Sequence, residues 1–428
     1  MFRTDSGILR GILAICVIAT VTVMGCTQQS GRVVTIWHFW SEPEQRKAFN
    51  DIVTLLRKTF PETEITTVEL SWSDGRAKLQ TAFATGTAPD IVHLGSEWVA
   101  SFAASGVLEP LERSLLDGVH PSLAPAVTIA DTLYAVPWVM NTRALFLHSS
   151  LVSRAGVESG VSWNEAEGVL KSTYGASPSL AFGIQSFEPH NVLKRILPLL
   201  WSHGSGIART IPWSATIDEA AVRGLERICR LTRCGVIGPS RSLDDRLRRG
   251  ELSAWVSGMW NLDVPSINAA YVVQPRWWQD SASAGGSTHG SVIPSGILSA
   301  DCWSIPRSGT QKETARRIVR TMMGASVAST FCNRLPDAGF PVTVTSTPST
   351  RSTRSSAADR GHSADASFSR NRQAFLVATT HAVTLPTFQR FLDAESIMEE
   401  EIMEAVFERK TPRQALEDAR LRLHRMGE

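Results

Sequence analysis

Tryptophan, with the polar residues beside it, carries the chemistry of this sequence: 13 Trp stand against 3 Tyr. A folded core has limited use for so many indoles, and several fall where strands are expected to end. Trp40 with Glu42, Glu97 with Trp98, and Trp260 with Asn261 each set a flat apolar ring beside a hydrogen-bonding group. Trp138 with Asn141 and Arg143, then Trp201 and Trp303, extend the set. Such a mixture suits a concave cleft with apolar walls and a few polar contacts. Bond-making chemistry has less support. There is no nucleophile elbow, no C-x-x-C and no H-E-x-x-H, so neither a metal nor a cofactor is expected. Trp37 alternates inward on a strand, and Trp163, Trp213, Trp255, Trp277 and Trp278 read as packing or surface residues.

The elements that must position these residues alternate between strand and helix. Val33 to His38 reads as a buried strand. Ser41 then caps a helix, with Glu44 reciprocating and Pro43 in the first turn. Phe49, Ile52, Val53, Leu56 and Phe60 give that helix its inward face. Ile65 to Leu70, a helix from Lys78 to Gly86, and Ile91 to Leu94 follow. The alternation predicts an α/β fold with a mainly parallel sheet flanked by helices. Ligands of such sheets gather beyond the carboxyl ends of the strands, which places Trp40 and Trp98 well. Further strands are expected at Ala144–Leu147, Ala181–Ile184, Leu252–Met259 and Trp303–Pro306, with helices at Val192–Trp201, Ala220–Leu231 and Gln311–Met323. The Ser/Thr-rich stretch 341–367 lacks large apolar residues and reads as a flexible loop, with helix returning from Phe368.

The bulk properties agree with an ordinary soluble chain: 43% hydrophobic, 20% charged, formal charge +2. Without a basic stripe, nucleic acid is not an expected partner. The N-terminus carries Arg3 and Arg10, an apolar run from Gly11 to Val23, then Gly25-Cys26 and a polar tether. This resembles a bacterial lipoprotein signal: residues 1–25 are removed, Cys26 takes lipid, and residues 26–32 form the tether. An ordinary cleaved signal or a retained anchor is the alternative. Of the remaining cysteines, Cys229 with Cys234 and Cys302 with Cys332 could form disulfides in an oxidising compartment, or stay as buried thiols.

The order of segments resembles the extracellular solute-binding proteins of sugar-type ABC importers, the group of the maltose-binding proteins. The motifs are Val34 to Trp40 (VTIWHFW), Leu79 to Asp90 (LQTAFATGTAPD), Gly95 to Leu111 (GSEWVASFAASGVLEPL), Leu133 to Phe146 (LYAVPWVMNTRALF), Leu197 to Gly204 (LPLLWSHG), Gly258-Met259-Trp260 and Lys410 to Met426 (KTPRQALEDARLRLHRM). The resemblance implies a two-lobed fold of the type II periplasmic-binding kind. One lobe comprises residues 33–141 and about 297–340; the other comprises 142–296 and about 368–428; a hinge joins them. It departs from the family at Val292 to Trp303, which lacks a glycine-rich run, and after Phe340.

It further implies capture of a sugar or oligosaccharide without turnover, delivery to permease subunits, and a place outside the cytoplasm, held to a membrane through Cys26. Indoles cover the flatter C–H face of a sugar while carboxylates and Arg fix its hydroxyls. Trp260 matches a family position that stacks on ligand. Glu97 is a hydroxyl acceptor or a helix cap, and Glu42 a ligand acceptor or a first-turn carboxylate. Asn141 and Arg143 line the cleft or brace the hinge; Trp138 precedes the crossover. Trp201 reaches the cleft or packs in its helix, and Trp303 sits on the cleft floor. A peptide, polyamine or phosphorylated polyol could replace the sugar in the same clamp. An anchored glycoside hydrolase using Glu97 and Asp263 is the enzymatic alternative.

Overall fold

The computed structural model describes residues 32–155, 161–279, 293–343 and 362–427. Cys26, the leader and most of the Ser/Thr-rich stretch lie outside the described residues. Two sheets organise the chain. The first is six-stranded and is built from β1 (Arg32–His38), β2 (Thr63–Glu69), β3 (Ile91–Gly95), β6 (Val136–Asn141), β12 (Ser299–Ser304) and β13 (Phe340–Pro341), in the order β13-β6-β12-β3-β1-β2. β4 (Thr128–Ile129) and β5 (Thr132–Leu133) make a small hairpin beside it. The second sheet orders β11 (Tyr271–Gln274), β7 (Ala144–His148), β10 (Leu252–Ser257), β8 (Ala181–Gln185) and β9 (Gly235–Gly238) as β11-β7-β10-β8-β9.

Strands β1, β2 and β3 pair in parallel, as the strand–helix alternation requires, whereas β12 runs antiparallel between β3 and β6. In the second sheet β8 pairs in parallel with β9 and β10, and β7 is antiparallel to β10 and β11. A late segment returning from the other lobe enters the first sheet from the opposite direction, which explains the mixed pairing.

The family-like segment ending in Asp90 has a structural role. Asp90 Oδ2 accepts the Thr35 N–H at 3.0 Å, and Oδ1 accepts those of Thr310 and Gln311 at 2.9 and 3.0 Å. The carboxylate thus fastens β1 to the helix start after β12. Gly86 closes the preceding helix at φ 69°, a conformation that an L side chain adopts at a cost.

Three local expectations change. Glu42, not Ser41, caps the helix Pro43–Thr59, because its extended backbone sets up a capping box with Gln45. The next helix begins at Gly75, ahead of Lys78. The C-terminal helical region begins at His362, ahead of Phe368, so the loop expected to run to 367 is shorter at that end. Among the described residues Cys229, Cys234, Cys302 and Cys332 are all free thiols.

The chain crosses between the sheets at Asn141–Ala144 and at Ser295–Ser299, with Val383 alongside. Thr142 Oγ1 donates to the Ile297 carbonyl at 2.9 Å. Val383 N–H donates to Gly296 O at 3.0 Å, and Leu298 N–H to Val383 O at 2.9 Å. A Cβ on Gly296 would come within 2.5 Å of Thr142 Oγ1, so the close approach of these segments requires glycine there.

Candidate binding cleft

The carboxyl ends of β1, β2 and β3 bring an aromatic cluster to one edge of the first lobe. Phe39 stacks on Trp72 at 4.2 Å and meets Trp98 edge-on at 5.7 Å. Trp72 and Trp98 lie 5.4 Å apart. Trp40 stacks on His93 at 5.1 Å. His93 fixes this corner: Nδ1 accepts the Phe39 N–H at 3.2 Å, which leaves Nε2 as the donor to Asp301 Oδ1 at 3.0 Å. Trp72 is the open member, with 49% of its surface exposed. The indole N–H groups of Trp40 and Trp98 are buried and find no acceptor among the described residues.

The second lobe supplies charge. Glu97 pairs with Lys194 across the gap between the lobes. Burial pushes the Glu97 carboxyl up, but the adjacent ammonium, through charge and a hydrogen bond, outweighs it and holds the group below the usual carboxylate range. Arg76, on the helix after β2, bonds to His190, whose Nδ1 meets Glu395 Oε2 at 2.5 Å. Glu399 accepts the N–H groups of His190, Val192 and Leu193 at 2.8, 2.8 and 3.2 Å. Burial, then Glu395, push Glu399 up to about 8 against the pull of those three donors. Between the lobes lies a cavity of about 20 Å³, lined in part by Ser96, Glu97, Lys194, Ser299, Thr387 and Glu395. That volume is near what one water needs and far below a sugar ring. In the described form the lobes touch directly, through Glu97 with Lys194 and Arg76 with His190.

A second cluster sits around Asp244. Its Oδ1 accepts from Trp255 Nε1 and Ser257 Oγ, both at 2.7 Å, and its Oδ2 from Trp260 Nε1 at 2.9 Å. The half-buried Trp260 ring lies under Arg143, whose guanidinium carbon is 5.4 Å from the ring centre. Arg143 Nη2 reaches Asn191 Oδ1 at 3.4 Å, and its buried Nε has no partner among the described residues. Arg195 donates to the carbonyls of Val256 and Asn191 and lies over Trp255. Burial, then the neighbouring Arg143, pull Arg195 down to about 9.

The expected site residues divide accordingly. Glu97 reaches Lys194 across the gap with Trp98 beside it in the chain, Arg143 and Trp260 stand by the crossing between the lobes, and Trp40 is buried between His93 and Phe331. Asn141 ends β6 and is half-buried, paired with Ser299 at the crossing. Glu42 is exposed and spent on its helix cap. Trp138, Trp201 and Trp303 are core residues here, each at most 1% exposed. Trp138 Nε1 donates to Met322 O and Trp201 Nε1 to Ile207 O, both at 2.8 Å, so both indoles are satisfied internally. Trp303 packs between Trp138 and Phe49. Asn261 is fully buried and donates to Ser257 Oγ at 2.9 Å, bracing β10 instead of facing the gap. The carboxylates proposed for hydrolysis have separate environments: the charged neighbour of Glu97 is Lys194, whereas Asp263 has Arg248 and Asp337. No cluster among the described residues could hold a metal ion.

Sequence reasoning missed Trp72, which stands at the end of β2 just as Trp40 and Trp98 stand after β1 and β3; that equivalence was the available signal. It also missed His190, Lys194, Asp244, Glu395 and Glu399.

Gly258 positions Trp260. A Cβ there would sit 1.8 Å from the indole ring, so the ring must leave if alanine enters. Gly258→Ala is expected to displace Trp260 from Asp244 and to change the emission spectrum of the folded protein. An unchanged spectrum would show that the ring is not seated on Gly258.

Residues 40–194 match the family model described as bacterial extracellular solute-binding protein. A GacH receptor of Streptomyces glaucescens, solved unliganded and with acarbose and an acarbose homologue, superposes with a TM-score of 0.73 at 19% identity, covering 92% of this chain and 98% of that one. The fold is the two-lobed binding-protein fold of the maltose-binding type. Maltose-bound T. maritima MalE3 gives a TM-score of 0.72 at 16% identity, covering 92% of this chain and 99% of that one. In sequence, a maltotriose-binding protein of Pyrococcus abyssi is 28% identical over 149 residues, 34% of this chain and 31% of the relative. The match thus spans about a third of that curated relative's length. Within this two-lobed fold, Glu97 stands beside Trp98 on the first lobe and Lys194 meets it from the second.

Proposed function

We propose that this chain is an extracytoplasmic binding protein that captures a sugar or oligosaccharide between its lobes and delivers it, unaltered, to an ABC permease. One observation carries the reading: the open Trp72 ring is stacked on Phe39 and lies 5.4 Å from Trp98, whose N–H is unspent and whose chain neighbour Glu97 meets Lys194 of the opposite lobe. An indole gives the C–H face of a sugar its platform, and Glu97, Lys194 and Arg143 give its hydroxyls charge-assisted partners. Opening frees Glu97 and Lys194 from one another, and a bound sugar takes up both. The similarity to solute-binding proteins supports this reading over a hydrolase, as do the separate surroundings of Glu97 and Asp263. In the same reading Cys26 carries a lipid that holds the protein at a membrane.

Titration of the intrinsic tryptophan fluorescence against monosaccharides and malto-oligosaccharides, with a peptide, spermidine and glycerol phosphate in parallel, tests the proposal. A saturable response to a saccharide is expected, with no new products after long incubation. Trp72→Ala should weaken that response. Saturation by a non-sugar alone, or turnover of an oligosaccharide, would replace the reading.

A further inference from the structure

We propose that Phe187 is an outer stacking platform on the second lobe, the counterpart of Trp72 on the first, and that the cargo is therefore an oligosaccharide. The inference rests on the sugar reading above. Phe187 lies in the segment after β8, beyond the carboxyl end of a strand that pairs in parallel with β9 and β10. Ligands of such sheets gather at those ends. The same segment and the helix it leads into form the second lobe's edge of the gap. His190 meets Arg76 and Lys194 meets Glu97, both of the first lobe, while Asn191 accepts from Arg143 at the crossing. Trp72 stands four residues before Arg76, and Phe187 three before His190. Each ring thus lies a few residues along the chain from the same contact between the lobes.

Exposure and support together set Phe187 apart. It is 46% exposed against 49% for Trp72, and among the described Phe, Trp and Tyr residues these two are the most open. Phe187 belongs to neither hydrophobic core. Its backbone is nevertheless held on both sides. Ser186 N–H donates to Gly238 O at 2.8 Å, and Asn191 N–H to Glu188 O at 3.1 Å. Glu188 Oε2 accepts from Gln185 Nε2 at 2.7 Å and from the Ser240 N–H at 3.1 Å. A ring carried on a fixed turn costs little further ordering when a ligand covers it. Its neighbours Ser186, Glu188 and His190 are polar, so the segment offers one flat apolar face among hydrogen-bonding groups, which matches the C–H face of a sugar. Glu97 and Lys194 line the small cavity between the lobes, whereas neither Trp72 nor Phe187 does. The two open rings therefore serve sugar units beyond the one that Glu97 and Lys194 take.

The test is a fluorescence titration of the full chain with glucose, maltose, maltotriose and maltotetraose, and with the cello-oligosaccharides of the same lengths. In the series that binds, the wild type is expected to hold the trisaccharide at least about tenfold more tightly than the monosaccharide. Phe187→Ala should lower that ratio about tenfold, the worth of one ring stacked on one sugar unit, and Phe187→Trp should keep it. Because the ring is open and outside both cores, Phe187→Ala should melt without ligand at the wild-type temperature. A lowered midpoint would make Phe187 a packing residue and overturn the inference. A wild type that holds one unit as tightly as three, or a ratio that Phe187→Ala leaves in place, also overturns the outer platform while the sugar reading stands. Failure of every saccharide to bind removes the sugar reading and this inference with it.

Discussion

Asp244→Ala should destabilise the protein by about 3–5 kcal/mol and abolish ligand binding. Asp244 is buried, and three donors depend on it: Trp255 Nε1, Ser257 Oγ and Trp260 Nε1. Truncation orphans the first two in the interior and removes one of the countercharges that act on Arg143 and Arg195. It also frees the Trp260 ring from the contact that sets its tilt. Chemical denaturation gives the stability term, and the fluorescence titration gives the binding term. Asp244→Asn keeps one acceptor and should lose less of both. If Asp244→Ala unfolds at the wild-type denaturant concentration, the three hydrogen bonds do not anchor this corner.

Trp260→Ala separates binding from folding. Its ring is half-buried under Arg143, with a single hydrogen bond to a carboxylate that keeps two other donors. Losing an indole face that a sugar would cover costs about 2 kcal/mol of binding, about thirtyfold in affinity. The midpoint of unfolding without ligand should move little. A large loss of unliganded stability would instead identify Trp260 as a core residue like Trp138. Trp138→Ala supplies the contrast, because that indole is buried and hydrogen-bonded to Met322 O.

The pH dependence of the Glu97–Lys194 pair follows from its sign. The folded carboxyl is held below its ordinary value, so its contribution to the closed form is present above that value. It is lost as pH falls through the lowered one.

The alternation of strands and helices was legible because β1, β2 and β3 are short β-branched runs and each helix between them has an inward stripe. The positions of Trp40 and Trp98 followed from that alternation alone. Trp138, Trp201 and Trp303 were harder, since an indole at a strand end and an indole in a core look alike in sequence. All three are at most 1% exposed, and the N–H groups of Trp138 and Trp201 are met by Met322 O and Ile207 O, surroundings that the sequence alone does not display. Trp72 hid in a Ser- and Asp-rich stretch that reads as a plain turn. Glu395 and Glu399 lie in an acidic helix that reads as solvated, yet they are one turn apart and buried. Their role depends on a loop some two hundred residues earlier in the chain, and no local pattern reveals that pairing.

The lacing of Thr142, Ile297 and Val383 constrains how the molecule can work. Segments tied to one another by main-chain and hydroxyl bonds cannot bend independently, so any movement of one lobe against the other must carry all three together. Affinity then becomes a property of the joint as well as of the pocket. A substitution at Gly296, which has no room for a Cβ beside Thr142 and Arg143, is expected to change how tightly any cargo is held.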